Sequence, residues 1–428
     1  MKKLLTSALL ALLFISAAAQ EDTKSDIVKT GINFGPLPAV GYSSDLGWHY
    51  GALTDIYWYG DGSTYPEYMW KANVEISKYS KGNTVLHSFF DSKYLIPGLR
   101  VSAAISWFGN KTTNFYGFNG ASSLYDPERD RITETGQGFY LMRRDIFRIQ
   151  TCVQGKFEDS NWGWAGGLTF WSLRTGHAIN EGLDYTNDKS LYDLYVENGV
   201  IPEAEKDGGK HLEFKAGVVY DTRDHENNPT RGTNLEVYMF GSPDIISKHD
   251  NNYLKLAVHL KQFVPLADRL VFGAHLAYQG LIAGNAPFYM LQTIQSINMK
   301  QINTEGLGST CTLRGTVTNR LQGNGYAWMN TELRWSFAKF YWIKQNWTLA
   351  VNPFYDMGMV VQPYHLEQLK SLPSYAYTGN TEKLHMSAGA GLHVIMNQNF
   401  NINFEFGKCL DPNDGTGLGI NIGLNYIF

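Results

Sequence analysis

The chain has 428 residues, with 36 lysines and arginines against 40 acidic residues and a formal net charge of −4. That balance excludes a basic nucleic-acid-binding protein, and three scattered cysteines (Cys152, Cys311 and Cys409) exclude a disulfide framework. Aromatic residues make up 14% of the chain, and there are 43 glycines. This composition is typical of outer-membrane barrels, which carry tyrosine and tryptophan girdles at both membrane interfaces.

Residues 1–19 are predicted to be a signal peptide. Two lysines precede an apolar run from Leu4 to Ala19 that closes on small residues, which is the pattern of a secretory signal and its cleavage site. A short N-terminal segment, 20–30, follows. No later run approaches the ~18 to 20 apolar residues of a spanning helix. An exported chain of this kind is periplasmic, secreted or an outer-membrane barrel, and the barrel is predicted over 31–428.

Apolar and polar residues alternate with a period of two along the remaining chain, which predicts strands. The first, from Ile32 to Tyr42, is weakened by Pro36 and Pro38. It is needed because exported single-chain barrels normally have an even number of strands. The other predicted strands are 46–59, 68–80, 84–94, 99–108, 138–157, 162–174, 211–223, 232–241, 252–264, 269–282, 326–339, 346–361, 384–396, 400–409 and 417–428. The predicted fold class is all-β, a transmembrane antiparallel barrel of about sixteen strands.

The connections between these strands alternate in length. Short turns lie at 96–98, 158–161, 267–268 and 397–399, and long loops lie near 109–137, 175–210, 283–325 and 362–383. Short periplasmic turns and long external loops are the outer-membrane pattern. The C-terminal strand is therefore predicted to end on the periplasmic side.

The final predicted strand, 417–428, shows the clearest alternation. Its even-numbered residues from Leu418 to Phe428 are all apolar, whereas the odd-numbered ones are glycine or asparagine, apart from Ile427. This pattern predicts one wholly apolar face toward lipid, and bacterial outer-membrane barrels usually end on an aromatic residue. Tyr426 and Phe428 are therefore predicted to form a C-terminal barrel signal.

Four segments carry short motifs in a fixed order. The first is a strand, turn and strand start with Tyr220, Asp221, Arg223, Asp224, Pro229 and Gly232. Leu313-Arg314-Gly315 follows in loop 283–325, then Asn330 to Arg334, and then Phe354-Tyr355-Asp356-Met357-Gly358. Together these segments resemble the BamA/TamA-type barrels, the bacterial surface antigen family, across roughly residues 210–428. The earlier half is compatible but carries no sharp motif.

Two carboxylates are predicted to face the lumen from neighbouring strands. Glu332 lies on the parity opposite Leu333 and Trp335, and Asp356 lies on the parity opposite Tyr355 and Met357. Inward carboxylates require a cation or hydrogen-bond donors, and an arginine on an inserted loop supplies a rigid bidentate fork.

The resemblance assigns the cation. In the family, the equivalent arginine locks the loop to such acids, which implies a structural loop lock of Arg314, Gly315, Glu332, Asp356 and Gly358. The alternative is that Arg314 is an ordinary solvated loop arginine. Thr316 departs from the family pattern, because an aromatic residue usually follows the Arg-Gly pair.

The resemblance implies a barrel that aids the insertion or translocation of protein or lipid, with outer-membrane lipid and other outer-membrane or periplasmic proteins as partners. Only about ten residues separate Gln20 from the first predicted strand, too few for the periplasmic POTRA modules of this family. The chain is therefore expected to resemble members without them. A passive channel or ligand transporter on the same barrel is the alternative, and the sequence indicates no oligomeric state.

Catalytic motifs are not apparent. The sequence has no Gly-x-Ser-x-Gly elbow, glycine-rich phosphate loop or paired histidines at metal spacing, so we predict no enzyme, cofactor or metal site. Asp224-His225 is interpreted as part of a polar turn network with Asp221 and Arg223. The acids and histidines of loop 175–210 are too diffuse for a site, and His385 and His393 are expected to be plain lumen residues.

Overall fold

The computed structural model describes residues 28–43, 47–80, 82–130, 138–179, 189–247, 251–297, 306–308, 312–415, 417–424 and 426–428. The predicted signal peptide, residues 1–19, and most of segment 20–30 lie outside the described residues.

The described residues form seventeen strands in one antiparallel sheet. They are β1 (Ile32–Ser43), β2 (Gly47–Trp58), β3 (Trp70–Tyr79), β4 (Thr84–Ile96), β5 (Leu99–Gly109), β6 (Thr113–Asn114), β7 (Leu141–Lys156), β8 (Trp162–His177), β9 (Gly209–Asp221), β10 (Gly232–Ser242), β11 (Tyr253–Ala267), β12 (Leu270–Gly284), β13 (Gly325–Trp342), β14 (Gln345–Gln362), β15 (His385–Met396), β16 (Phe400–Cys409) and β17 (Gly419–Leu424). Sixteen of them follow the predicted strands, and β6 is a two-residue addition inside a loop. The all-β prediction is confirmed.

The helices of the described residues are short and lie in the connections. Pro127–Asp130 and Leu191–Glu197 are α-helical, and Gly120–Ser122, Phe288–Met290, Gln368–Ser371 and Pro412–Asp414 are 3₁₀ turns. Ser190 and Asp193 form a capping box at the start of Leu191–Glu197, which satisfies two backbone donors of that helix. No helix among the described residues is long and apolar enough to cross a membrane.

The strand order closes the sheet into a barrel. Each strand pairs with its neighbour in the chain, except that β5 passes over β6 to pair with β7. The ring closes where β1 meets β17, and in the part of the chain that the structure describes this junction has one residue pair, Ser43 and Asn421. All other neighbouring long strands pair over six or more residues, so the closure between β1 and β17 is the weakest junction in the described sheet.

Side chains alternate between the lumen and the outer surface. On β13, Asn330 and Glu332 are buried, whereas Leu333 and Trp335 are 38% and 52% exposed. Apolar side chains such as Ile76 and Leu276 are likewise exposed on the outer surface, where a barrel of this type contacts lipid. The predicted inside and outside faces of β13 and β14 are therefore the observed ones.

The long connections pack against one another at one end of the barrel. Phe118 from the β5–β7 connection lies with its ring centroid 5.3 Å from that of Tyr195 and 4.8 Å from that of Tyr364. Tyr289 from the β12–β13 connection joins the same buried cluster. Four connections thus share one hydrophobic core, which we call the cap, together with strand residues such as Phe108 and Trp171.

The expected C-terminal strand is wrong in its last residues. β17 alternates as predicted but ends at Leu424. Tyr426 and Phe428 are 4% and 8% exposed, and they contact lumen side chains instead of facing lipid. The apolar period continues to Phe428, but these aromatic rings find cationic and aromatic partners inside the barrel that a lipid-facing position would not provide.

Candidate functional site: the inserted loop and its anchors

The β12–β13 connection enters the lumen and carries Arg314, which is 2% exposed. Its guanidinium Nε and Nη2 each donate to a different oxygen of Asp356 at 2.8 Å. The Arg314 backbone N–H donates to the same carboxylate at 3.1 Å. This is the fork-to-fork geometry that makes arginine–carboxylate pairs strong and directional.

The remaining guanidinium nitrogen bridges two further carboxylates. Arg314 Nη1 donates to Glu332 at 2.9 Å and to Glu405 at 3.0 Å. The Arg314 Cζ atom also lies 3.7 Å from the Phe354 ring centroid, a cation–π distance. We call Arg314, Glu332, Asp356 and Glu405 the loop lock. The structure brings together the three charged residues named from the sequence and adds Glu405.

Glu405 is a residue that sequence reasoning missed as a partner of Arg314. It lies on β16, on the same parity as Asn401 and Asn403, and 91 positions from Arg314. That parity already indicated a lumen-facing side chain. Its proximity to Arg314 comes from the order of the paired strands, which places β16 two strands from β14, and from the entry of the loop into the lumen.

Gly315 lets the loop tip lie directly on the barrel wall. Its φ is +88°, which favours glycine. A Cβ atom at Gly315 would come within 2.3 Å of the Gly407 carbonyl carbon, and one at Gly407 would come within 2.9 Å of the Arg314 oxygen. Thr316 next to it is buried. Gly358 faces Trp328 instead, with a hypothetical Cβ 2.9 Å from the Trp328 Cβ.

A second arginine anchors the same loop nearer the cap. Arg320 donates to the carbonyl oxygens of Asn413, Gly120 and Ser123 at 2.9, 3.2 and 3.0 Å, and its Nε lies 3.4 Å from Asp414. It therefore joins the inserted loop to the β16–β17 and β5–β7 connections. Sequence reasoning missed this anchor, because each partner lies on a different connection.

The two lumen histidines predicted from the sequence are buried and hydrogen-bonded. His385 Nδ1 lies 2.7 Å from Asp414, next to the Arg320 anchor. His393 Nε2 lies 2.8 Å from the Asn352 side-chain oxygen. Both positions fit hydrogen-bonded lumen residues.

The first half of the connection also follows the lumen wall. The Gln295 side chain donates to Glu213, and its carbonyl oxygen lies 3.0 Å from His259 Nε2. Lys215 donates to the Ser296 oxygen at 2.9 Å. Inward side chains of β9 and β11 thus hold one arm of the loop, while β13, β14 and β16 hold the other.

The predicted strand–turn motif lies at the opposite mouth of the barrel, away from Arg314. Tyr220 and Asp221 end β9, Pro229 is buried in the turn, and Gly232 begins β10 with a φ of +102°. Arg223 donates to both oxygens of Asp221, at 2.9 and 2.7 Å.

Asp224 fastens the turn internally by accepting the backbone N–H groups of Thr230 and Arg231 at 2.9 and 3.2 Å. Burial raises the pKa of Asp224, but the hydrogen bonds from Thr230 and Arg231 outweigh it and lower the pKa below its ordinary value. Ionised Asp224 is therefore the form that the folded turn favours.

Residues 222–231, which we call the mouth turn, reach across this end of the barrel. Glu226 accepts from Arg100 of β5 at 2.9 Å and lies 3.6 Å from Lys93 of β4. Asn227 donates to Asn399, between β15 and β16, at 2.8 Å. The turn thus contacts strands on two sides of the mouth.

The C-terminal residues 426–428, which we call the tail, are held by Arg334. The Arg334 Cζ atom lies 3.9 Å from the Tyr426 ring centroid, and its Nη2 donates to the Phe428 main-chain oxygen at 2.9 Å. The Tyr426 ring also stacks on His393 with a centroid distance of 4.1 Å. The predicted barrel signal is therefore a lumen contact in this structure.

These arrangements consist of ion pairs and hydrogen bonds between the loop and the barrel wall. The guanidinium of Arg314 donates four of its five N–H groups to three carboxylates. Among the described residues, no cluster of three or more His, Cys, Asp or Glu side chains is arranged to hold a metal ion.

Comparison with known proteins agrees with the barrel. A family model described as the Omp85 superfamily domain matches residues 70–428. The chain is similar in structure to BamA from Haemophilus ducreyi lacking POTRA domains 1-3, with a TM-score of 0.54, 15% identity, and 93% of this chain and 70% of that chain covered. For CdiB from Escherichia coli the TM-score is 0.56 and the identity 12%, with 94% of this chain and 64% of that chain covered. No curated protein has a significantly similar sequence.

Proposed function

The chain belongs to the Omp85 superfamily as an integral barrel of the Gram-negative outer membrane, and we propose that it aids the insertion or translocation of protein or lipid there. Members of this superfamily are non-enzymatic outer-membrane transporters or assembly factors, and we propose the same for this chain. The resemblance to BamA/TamA-type barrels seen in the motifs is confirmed by the family match.

The junction between β1 and β17 is the observation that carries this proposal. Among the described residues, only Ser43 and Asn421 pair there, although β1 pairs with β2 along its whole length, Ile32–Ser43. Unpaired backbone groups at a strand edge are sites where another extended chain can add. A junction with one pair separates at lower cost than any other in the described sheet, which suits a barrel that must admit a client sideways.

The loop lock supports the same proposal. It holds the inserted loop against β13, β14 and β16, so the wall beside the weak junction stays ordered while β17 moves. We propose this role for Arg314, Gly315, Glu332, Asp356 and, from the structure, Glu405. Gly358 contributes by packing β14 against Trp328 of β13.

A passive channel or ligand transporter is the second candidate. Its support is the polar lumen wall, with buried charged residues such as Glu213, Lys215 and Lys255. The inserted loop, however, occupies part of this lumen and hydrogen-bonds to Glu213 and Lys215. A permanent wide pore therefore requires displacement of a loop that is held by β9 and β11 on one side and by β13, β14 and β16 on the other.

Depletion of the protein followed by quantitative outer-membrane proteomics and lipid analysis tests the proposal. We expect other outer-membrane barrels, or lipid of the outer leaflet, to decrease, and wild-type protein supplied from a plasmid to restore them. An unchanged membrane composition together with a defect in the uptake of one nutrient would overturn the assembly proposal in favour of the transporter.

A further inference from the structure

The pairing between β1 and β17 stops where proline enters β1. Extending the register of Ser43 and Asn421 would place Val40 opposite Leu424, Pro38 opposite Tyr426 and Pro36 opposite Phe428. Among the described residues, Ser43 and Asn421 are the pair formed between these strands, and β17 ends at Leu424. The described residues therefore show no β1–β17 strand pairing in the periplasmic half of the junction.

The direction of the β1 backbone groups explains part of this missing pairing. Gly31 N donates to Gly60, and the Gly31 oxygen accepts from Tyr59, so odd-numbered positions of β1 point their hydrogen-bonding groups toward β2. Even-numbered positions consequently point toward β17. Pro36 and Pro38 have no N–H to donate, and both missing donors fall on the edge that faces β17.

The position of the tail is the second reason for the missing pairs. Its contacts lie on the inner wall of the barrel, away from the β1 edge that faces β17. Phe428 lies with its ring centroid 5.5 Å from His275 and 6.0 Å from Phe263, on the inner faces of β12 and β11. Arg334 contacts the rings of both tail aromatics and hydrogen-bonds to the Phe428 main chain. It is the cation that joins the tail to the barrel wall.

The same arginine is connected to the loop lock through one shared carboxylate. Glu332 accepts from Arg334 Nε at 2.6 Å with one oxygen and from Arg314 Nη1 at 2.9 Å with the other. The 2% exposure of Glu332 leaves little room for water to replace either partner. The position of the tail and that of the inserted loop are thus coupled through three buried charged groups in a row.

We propose that Arg334 is a positioning residue that clamps the tail in the lumen and thereby keeps the periplasmic half of the β1–β17 junction unpaired. This inference rests on the proposed function, for which the unpaired edge of β1 is the useful state. Loss of the clamp frees the tail, lets β17 extend beyond Leu424, and brings Val40 opposite Leu424. Through Glu332, loosening the inserted loop also weakens the clamp.

Disulfide trapping tests the clamp without any client. In a cysteine-free background (Cys152→Ala, Cys311→Ala, Cys409→Ala), one protein carries Ser43→Cys with Asn421→Cys, and another carries Val40→Cys with Leu424→Cys. Both are refolded into detergent and oxidised, and cross-linking is followed by unheated gel electrophoresis. Directly opposed strand residues lie within disulfide range, so cross-linking reports pairing at each position.

We expect Ser43→Cys/Asn421→Cys to cross-link readily and Val40→Cys/Leu424→Cys poorly. Arg334→Gln should raise the second yield several-fold and leave the first unchanged, and Arg334→Lys, which keeps the charge but loses the fork, should raise it less. Arg148→Gln is the matched control. Arg148 is also a buried lumen arginine, near the rings of Phe108 and Trp171, on a different part of the wall.

An unchanged Val40→Cys/Leu424→Cys yield in Arg334→Gln, or an equal rise in Arg148→Gln, would overturn the clamp. Should Arg334→Gln fail to refold, Tyr426→Ala with Phe428→Ala removes the clamped rings and must raise the same yield. The measurement is independent of the proposed function. A clamp that behaves as expected alongside an unchanged outer-membrane proteome on depletion would mean that the function fails while the clamp stands.

Discussion

The loop lock and the mouth turn both fasten a non-strand segment to the inner wall through ion pairs, but their surroundings differ. Arg314 and its three carboxylates are at most 2% exposed. At the mouth, the side chains of Arg100 and Glu226 are 15% and 16% exposed, and that of Lys93 is 34% exposed. Water can replace a lost partner at the mouth but hardly at the lock. The comparison indicates that burial, more than the number of ion pairs, sets the expected free-energy cost of losing a charged partner.

The largest effect is expected for Arg314→Ala. Removing the cation leaves three buried carboxylates without it, and breaking a buried pair costs about 3 to 5 kcal/mol, less whatever lumen water recovers. The loop should then leave the wall. We expect a lower temperature for the heat-induced gel shift and new protease cleavage between 283 and 325, with little change in the β-sheet circular dichroism signal.

Charge reversal sharpens this test. Arg314→Asp combined with Asp356→Arg should recover part of the loss if the two groups interact directly, and the changed fork geometry limits the recovery. If Arg314→Ala matches the wild-type protein in both heat stability and proteolysis, the loop lock does not contribute to stability. It would then not differ from the mouth turn in the way that its burial implies.

A second large effect tests the inside and outside faces on which the comparison depends. Ile422→Arg places a charge on the lipid-facing side of β17 and should destabilise the barrel by about 2 to 4 kcal/mol near the bilayer midplane. Asn421 lies on the other face, opposite Glu405, so Asn421→Arg is the matched control and should be tolerated. Unfolding in urea with lipid vesicles measures both. Equal losses would mean that the two faces are wrongly assigned.

A smaller effect is expected for Glu226→Gln in the mouth turn. The variant keeps the shape and loses the pairing with Arg100 and Lys93, which at this exposure is worth about 1 kcal/mol or less. The difference from the wild-type protein should shrink in high salt, because partly exposed charges are screened, whereas that of Arg314→Ala should not. Proteolysis of residues 222–231 at two salt concentrations measures it. If Glu226→Gln lost as much protease resistance as Arg314→Ala does, burial would not distinguish the mouth turn from the loop lock.

The smallest effect is a pH dependence of the mouth turn through Asp224. The folded turn lowers the pKa of Asp224, so its contribution is present above the ordinary aspartate pKa of about 3.9 and is lost as the pH falls through the lowered value. We expect cleavage of residues 222–231 to increase below about pH 4. Asp224→Asn should show a smaller acid-induced increase in cleavage than the wild-type protein, because the ion pairs of Glu226 remain in the variant. A wild-type turn equally resistant at both pH values would contradict the assignment.

The fold was predictable from the sequence because strand periodicity is local. Each strand needs only its own alternating residues to reveal its faces, and this suffices to place Glu332 and Asp356 in the lumen before any partner is known. The motif resemblance then placed Arg314 beside them. The sixteen long strands follow for the same reason, with differences of a few residues at their ends.

The remaining contacts depend on how the connections lie on the assembled barrel. Glu405 reaches Arg314, Arg320 reaches Asp414, and Glu226 reaches Arg100. Each pair joins elements that are far apart in the chain and meet only when a loop or turn folds against the assembled sheet. No local pattern contains that information, since the same lumen-facing parity is shared by many residues that do not touch.

The sequence by itself thus determined the all-β barrel, its outward apolar face and the lumen-facing carboxylates that require a cationic partner. It could do so because side-chain alternation and turn length are properties of short segments. Tertiary structure alone decided where the tail goes. The alternation through Phe428 favours a lipid-facing strand, yet Arg334, His393 and Phe263 together offer cation–π, stacking and hydrogen-bond contacts in the lumen. Those partners come from three strands, and only the closed barrel brings them to one place.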